Sequence, residues 1–345
     1  MTIPLCTFNP LNALFLRKVL VKFSGLALAI TVLTGCSVKR IAINKLGDAL
    51  ANSGTTFASD NDPEFAGNAI PFSLKLIESL LAESPNHKGL LLAACSGFTQ
   101  YDYVYIQQSA DQAEATDIQQ HMAQKLRAKR MYLRARDYGL RGLEVSHKGF
   151  REALHADARA AVRVATKKDV PLLYWTASAW AMAISDSKDD PELVADQTTA
   201  EALIDRAYEL DPAYDHGAID SFLISYEAAR QGAKGDSAER SRQHFERAVA
   251  LSEGQLAGPF VAMAETVSVA RQDRTEFESL LNRALKIDPD AHPESRLANL
   301  VMQRRARWLL GRADDLFLGN PPAAGGGTGP SCFISIEQSW QESFQ

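Results

Sequence analysis

The sequence predicts an all-α fold, a degenerate array of helical hairpins stacked into a superhelical solenoid. Three observations point there. Long stretches rich in Ala, Leu, Glu, Arg and Gln are punctuated by Asp-Pro, Gly and Asn. Period-2 runs of β-branched residues, the mark of strands, are not evident. Several helix ends share one plan, a small or apolar residue five positions before a Pro or its equivalent, as expected when one hairpin unit recurs along the chain.

The N-terminal segment has a separate purpose. Arg17, Lys18 and Lys22 precede an apolar run from Phe23 to Leu33, and Leu33-Thr34-Gly35 stands directly ahead of Cys36. This is the layout of a secretory signal, with a basic n-region, an apolar h-region and a small-residue cleavage site. The run is too short to cross a bilayer as a stable helix. The Leu-Thr-Gly-Cys order resembles a bacterial lipobox, in which the cysteine thiol receives a diacylglycerol and becomes the new N-terminus. Residues 1–35 are therefore expected to be removed, Cys36 to be lipidated, and residues 36–57 to form a tether. Each buried acyl CH₂ contributes about 0.8 kcal/mol, so several chains hold a protein at a membrane surface. Ser37, where an inner-membrane retention signal has Asp, favours an outer-membrane, periplasm-facing address.

The helical region is expected over 58–317. Asp62-Pro63-Glu64 opens its first helix, with Asp62 as N-cap and Pro63 at the first helical position, where its missing N–H costs nothing. Phe72, Leu76 and Leu80, with Ile77 and Leu81 beside them, make an apolar stripe that Pro71 should kink or split. Further on, Phe98, Tyr101 and Tyr105 lie at i, i+3 and i+7 and share a face, while Tyr103 points away. Repeat packing accounts for such a trio. So does an amphipathic cavity or pore, because tyrosine pairs an apolar ring with a hydroxyl that needs a partner. The basic run Lys125 to Arg136 places its charges on two solvated edges, flanking a buried face of Met122, Leu126, Met131 or Leu133; an acidic partner or lipid headgroups held by the run is the alternative reading. Pro171 opens a helix in which Ala177, Ala179, Ala181 and Ala183 permit close approach of a neighbour, and Tyr174, Trp175 and Trp180 form a second candidate wall.

The recurring helix ends are 76–87, 202–214, 244–256 and 280–292, with reference residues Leu80, Ala207, Ala248 and Ala284. From Ala207 the intervals are 248 − 207 = 41 and 284 − 248 = 36, near the 34-residue tetratricopeptide period once insertions are allowed. Each hairpin cannot bury its apolar face alone, so a tetratricopeptide-like array with a concave surface is expected.

Charge and composition exclude several functions. The net charge is −5, and the leader carries three basic side chains and no acids, so the mature chain stands at −5 − 3 = −8. Such a chain has no electrostatic footprint for nucleic acid. Beyond Cys36 only Cys95 and Cys332 remain in the mature chain, too few for a disulfide framework. The seven histidines are scattered, with no HExxH pattern and no cysteine pair beside them. No Gly-x-Ser-x-Gly elbow is present. The acidic stretch 59–65 lacks the turn glycine and distal glutamate of a calcium loop, and helix capping by Asp62 explains it. Neither an enzyme, a metal nor a cofactor is expected.

Four blocks carry a resemblance. "ASDNDPEFAGNAIPFSLKLIESLLAESPNHKGLLLAACSGFTQYDYVYIQQSA" (58–110), "RAKRMYLRARDYGLRGL" (127–143) with "DVPLLYWTASAWAMAIS" (169–185), and "RRARWLLGRADDLF" (304–317) resemble the TRAP transporter T-component family. The resemblance implies a periplasm-facing helical lipoprotein beside the solute-binding P component and the membrane permease of an ion-gradient-driven importer. It also implies a ring-like homo-oligomer, a trimer among the numbers it allows, with a pore or cleft for ligand. A general tetratricopeptide scaffold for envelope assembly would need only the lipobox and the repeats. Beyond Phe317 the pattern stops, and 318–345 is expected to be a Pro/Gly-rich, disordered tail. Its Gly325 to Gly327 lacks the strand and the Gly-Lys-Ser/Thr of a phosphate loop.

Overall fold

A computed structural model describes residues 43–50, 54–230 and 232–318. The expected leader 1–35, Cys36, Cys332 and nearly all of the expected tail lie outside them. Every regular element among the described residues is helical, and none is long and apolar enough to cross a membrane.

Capping decides where the helices start. α1 (Pro63–Glu83) begins where the Asp62 side chain accepts from the backbone N–H groups of Glu64 and Phe65, satisfying two of the orphan donors of a first turn. Pro71 sits inside it without splitting it. α2 spans 88–113 as one continuous rod: Lys88–Tyr101 is α-helical, Asp102–Gln107 is a π-helical turn, and Gln108–Ala113 returns to α. α3 (Ile118–Ser146) is capped by Asp117. Gly149 at φ +79 turns the chain into α4 (Phe150–Ala156), while Glu144 accepts from the N–H groups of Gly149 and Arg151. α5 (Val170–Ser185) opens on Pro171, as expected. There follow α6 (Gln197–Leu210), α7 (Ala218–Tyr226), α8 (Ser237–Leu251) and α9 over 257–270, whose Ala264–Ser268 is a second π-helical turn. α10 (Arg274–Leu285) and α11 (Arg296–Gly311) complete the set.

Sequence neighbours pack on one another: α1 on α2, α2 on α3, α3 on α5, α5 on α6, α7 on α8, and α9, α10 and α11 among themselves. The reference residues Leu80, Ala207, Ala248 and Ala284 are all buried in or near the last turn of their helices, so the shared plan of the helix ends has a packing cause. α3 and α5 approach through two glycines. A Cβ on Gly139 would come within 2.0 Å of Thr176 Oγ1, and one on Gly142 within 2.7 Å of Leu172. The alanines of α5 face this contact and its neighbours, all four buried.

The apolar core runs as three clusters. One lies among α1, α2, α3 and α5, with Leu81, Leu91 and Phe98. A second, around Tyr132, Phe150, Leu173 and Leu203, reaches Ile219 and Leu223 on α7. The third, around Phe260, Phe277 and Leu281, starts at Ile224 on the same short helix and ends at Phe317. α7 thus belongs to two cores, and ion pairs secure it. The wholly buried Asp220 meets His244 Nδ1 at 2.7 Å, and the nearly buried Glu227 takes Arg230 and Arg240. The last long helix then returns to the beginning of the fold. Arg296 donates to the Ser59 carbonyl at 2.8 Å, and Arg304 pairs with Glu64 at 3.2 Å.

Two expectations are corrected. Phe72 is 74% exposed; the buried arc of α1 is Ala66, Leu74, Ile77, Leu80 and Leu81, and Phe72 stands about 140° around the helix from its centre. Met122 and Leu126 are also exposed, because α3 buries another arc, Ala128, Tyr132, Ala135, Gly139 and Leu143, whose centre lies about 100° from Met122 and about 140° from Leu126.

Candidate functional site

The aromatic face of α2 is divided by the π-turn. A π-turn inserts one extra residue into the helical repeat, so side chains beyond it fall on a shifted face, and such turns are frequent at functional sites. Phe98, before the turn, is core: it stacks on Tyr138 at 6.0 Å with the Arg134 guanidinium 5.0 Å over its ring. Tyr101 and Tyr105 are half-buried, their rings 5.3 Å apart, and the Tyr105 hydroxyl donates to the Pro63 carbonyl at 2.6 Å. Gly67 makes room for that ring, since a Cβ there would meet it at 2.5 Å. In the second candidate wall, Tyr174 is buried against Trp175 at 4.9 Å and Tyr214 at 5.5 Å, and Trp180 is buried beneath Arg136 at 4.8 Å. Trp175 is half-buried. Among the described residues no ring contact joins the two groups.

The residue that sequence spacing turned away is the one directed to the far end of the chain. Tyr103, inside the π-turn, reaches α11, its hydroxyl 4.0 Å from Met302 Sδ, and burial pushes that hydroxyl up to about 12. One turn along α11, the Arg305 side chain is only 7% exposed. Its Nη1 lies 2.8 Å from the Asp111 carboxylate, just past the first π-turn. Its Nε donates at 3.1 Å to Glu265, inside the second π-turn, and Nη2 pairs with the same carboxylate. Trp308 stacks on the guanidinium at 4.9 Å. Burial works against the Arg305 charge, but the Glu265 carboxylate outweighs it and holds the proton more firmly than in water. A single arginine therefore ties both π-turns to α11.

Behind this clamp the first π-turn is polar and buried. Asp102 is wholly buried, and neither carboxyl oxygen has a hydrogen-bond partner among the described residues. Burial, reinforced by the nearby Asp186 charge, pushes its carboxyl up to about 9, so it carries a proton at neutral pH. Asp186, at the end of α5, is also raised by burial although Lys125 stands 3.2 Å away. Tyr132 donates to the Gln107 side chain, and the amide of the buried Gln108 has no hydrogen-bond partner among the described residues. Unpaired buried polar groups are costly, so this seam is kept at the expense of stability.

The chemistry available here is charge-holding and alignment. The Cys95 thiol, wholly buried, is pushed up to about 12 by burial, which makes it a poor nucleophile. Among the described residues no three His, Cys, Asp or Glu side chains are grouped to hold a metal. Outside the seam, an open cleft of about 440 Å³ on α3 is lined by Arg130, Leu133, Arg134, Asp137, Tyr138 and Arg141. Nothing in the periodicity announces a π-turn, and Asp102, Glu265 and Arg305 read in sequence as ordinary solvated charges.

With this geometry in place, known proteins can be compared. Residues 59–317 match the model of the TRAP transporter T-component family. An uncharacterized protein of Treponema pallidum (strain Nichols) is 28% identical over 302 residues, which cover 82% of this chain and 94% of that protein.

Proposed function

Because the chain belongs to the TRAP transporter T-component family, we propose that it acts as the helical accessory subunit of a TRAP-type importer, binding the solute-binding P component and serving ligand transfer to the permease. The observation that carries this reading is the extent of the family match, which begins at Ser59, just before the cap of α1, and ends at Phe317, the last core residue among those described. Cys36 anchors the mature chain to a periplasm-facing membrane, the outer one by virtue of Ser37, and the chain assembles as a ring-like homo-oligomer. Tyr101, Tyr105 and Trp175 are the members of the two aromatic groups whose rings retain exposure. They are the side chains that a ligand in a pore or cleft would meet, with Phe98, Tyr174 and Trp180 as the packed wall behind them.

The test is binding of the purified P component encoded with the importer to the full-length protein in detergent. Association in the micromolar range or tighter is expected, and its absence under gentle cross-linking defeats the proposal. Anchoring is tested separately: Cys36→Ala should leave an unprocessed precursor or release the protein from membranes. A membrane fraction of normal mature size would refute it.

A further inference from the structure

The outward face of α3 has no partner among the described residues. Ile118, Met122 and Leu126, at i, i+4 and i+8, are 56%, 61% and 50% exposed, an apolar stripe beside the packed arc of the same helix. Isolated exposed apolar residues are ordinary, but three in register on one helix mark an interaction surface. The same helix carries no acidic residue between Asp117 and Asp137, and six basic ones: Lys125, Arg127, Lys129, Arg130, Arg134 and Arg136. Four of these are engaged, with Asp186, Asp190, Glu78 and Asp137 respectively. Among the described residues Arg127 and Arg130 form no direct ion pair, Arg127 being only near enough to Asp102 to oppose the rise of its carboxyl, in a chain whose net charge is −5. Arg130 also opens the cleft that continues the stripe toward the C-terminal end of α3.

We infer that this face of α3 is the docking surface for an acidic protein partner, seating apolar side chains on Met122 and Leu126 while its carboxylates pair with Arg127 and Arg130. This rests on the transporter reading and identifies the partner as the solute-binding component. Complementary charge is the argument for a protein occupant, and position argues against the bilayer. The described chain enters beside the 84–87 turn, where Asn44 bonds Ser84 and Arg141 of α3 donates to the Pro85 carbonyl. Leu126 lies 15 residues from Arg141, about 22 Å along the helix at 1.5 Å per residue. The stripe is thus set away from the end nearest the proposed anchor.

Two double variants test the inference, Arg127→Glu with Arg130→Glu, and Met122→Ser with Leu126→Ser, with Lys286→Glu just past the end of α10 as a control. Binding to the purified solute-binding component is measured by biolayer interferometry at low and high salt, alongside thermal unfolding. Each α3 variant should melt like wild type and lose at least tenfold in affinity, the arginine variant also losing the salt dependence, while the control binds normally. Wild-type binding that both α3 variants retain overturns the docking face and leaves the transporter reading intact. Unchanged binding accompanied by loss of self-association in light scattering, or of adhesion to phosphatidylglycerol vesicles, assigns the face to another occupant and overturns the inference. Failure of wild type to bind overturns the transporter reading, and this inference with it.

Discussion

Asp102 and Arg305 show how a single residue can be costly and still be retained. The Asp102 carboxyl, ordinarily near 3.8, is raised to about 9 in the fold. The native state therefore keeps a proton that the unfolded chain loses above pH 4, and stability falls as pH rises from about 4 to about 9, by at most about 1.4 kcal/mol per pH unit. Asp102→Asn removes that titration. Its melting temperature should exceed that of wild type at pH 8, and the gap should close toward pH 5, as scanning calorimetry across that range will read. Arg305 has the opposite character. Arg305→Met leaves Asp111 and Glu265 facing one another with no cation, and should cost about 2–3 kcal/mol in urea unfolding, the partial exposure of both acids keeping the loss moderate. Adding Glu265→Gln should recover part of it, since one uncompensated charge is then gone.

At the scale of elements, the α3–α5 contact is set by backbone approach and the α2 face by a change of helical period. Gly139 has no Cβ, and Thr176 occupies the space one would need. Gly139→Ala should therefore destabilise by about 1–3 kcal/mol through overpacking, although alanine is the better helix former. The double variant Gly139→Ala, Thr176→Ala should be more stable than the sum of the two single losses predicts, a coupling that a double-mutant cycle detects. The π-turn of α2 acts over a longer reach. With a uniform α period Tyr103 would diverge from the aromatic face to no purpose, whereas the inserted residue turns it onto Met302 of α11.

For the whole molecule, the question is what closes the chain onto its own beginning. The Arg304–Glu64 pair is the conspicuous contact, yet it is open to solvent, and exposed pairs contribute about 0–1 kcal/mol. Glu64→Ala should shift urea unfolding within that range, far less than Arg305→Met. The C-terminal boundary is equally specific. Phe317 is buried and packs edge-on against Phe277 at 5.0 Å, while Leu318 is 81% exposed. Truncation after Leu318 should leave the melting temperature within a few degrees, whereas Phe317→Ala should cost about 3 kcal/mol or more, as buried aromatic truncations do.

The sequence by itself determined the helical class, the capped start at Asp62, the opening of α5 at Pro171 and the common helix ends. These are local signals: caps, breakers and apolar period act within a few residues, so they survive without knowledge of the neighbours. It did not determine which arc of a helix is buried, and Phe72, Met122 and Leu126 were misjudged because two or more apolar arcs on one helix read alike until a partner helix selects between them. Nor did it reveal the seam at the π-turns. Asp102 and Asp186 are 84 residues apart, and Asp111 and Arg305 are 194 apart. Whether such charges are solvated, protonated or clamped depends on burial and on partners that only the tertiary structure brings within a few ångströms.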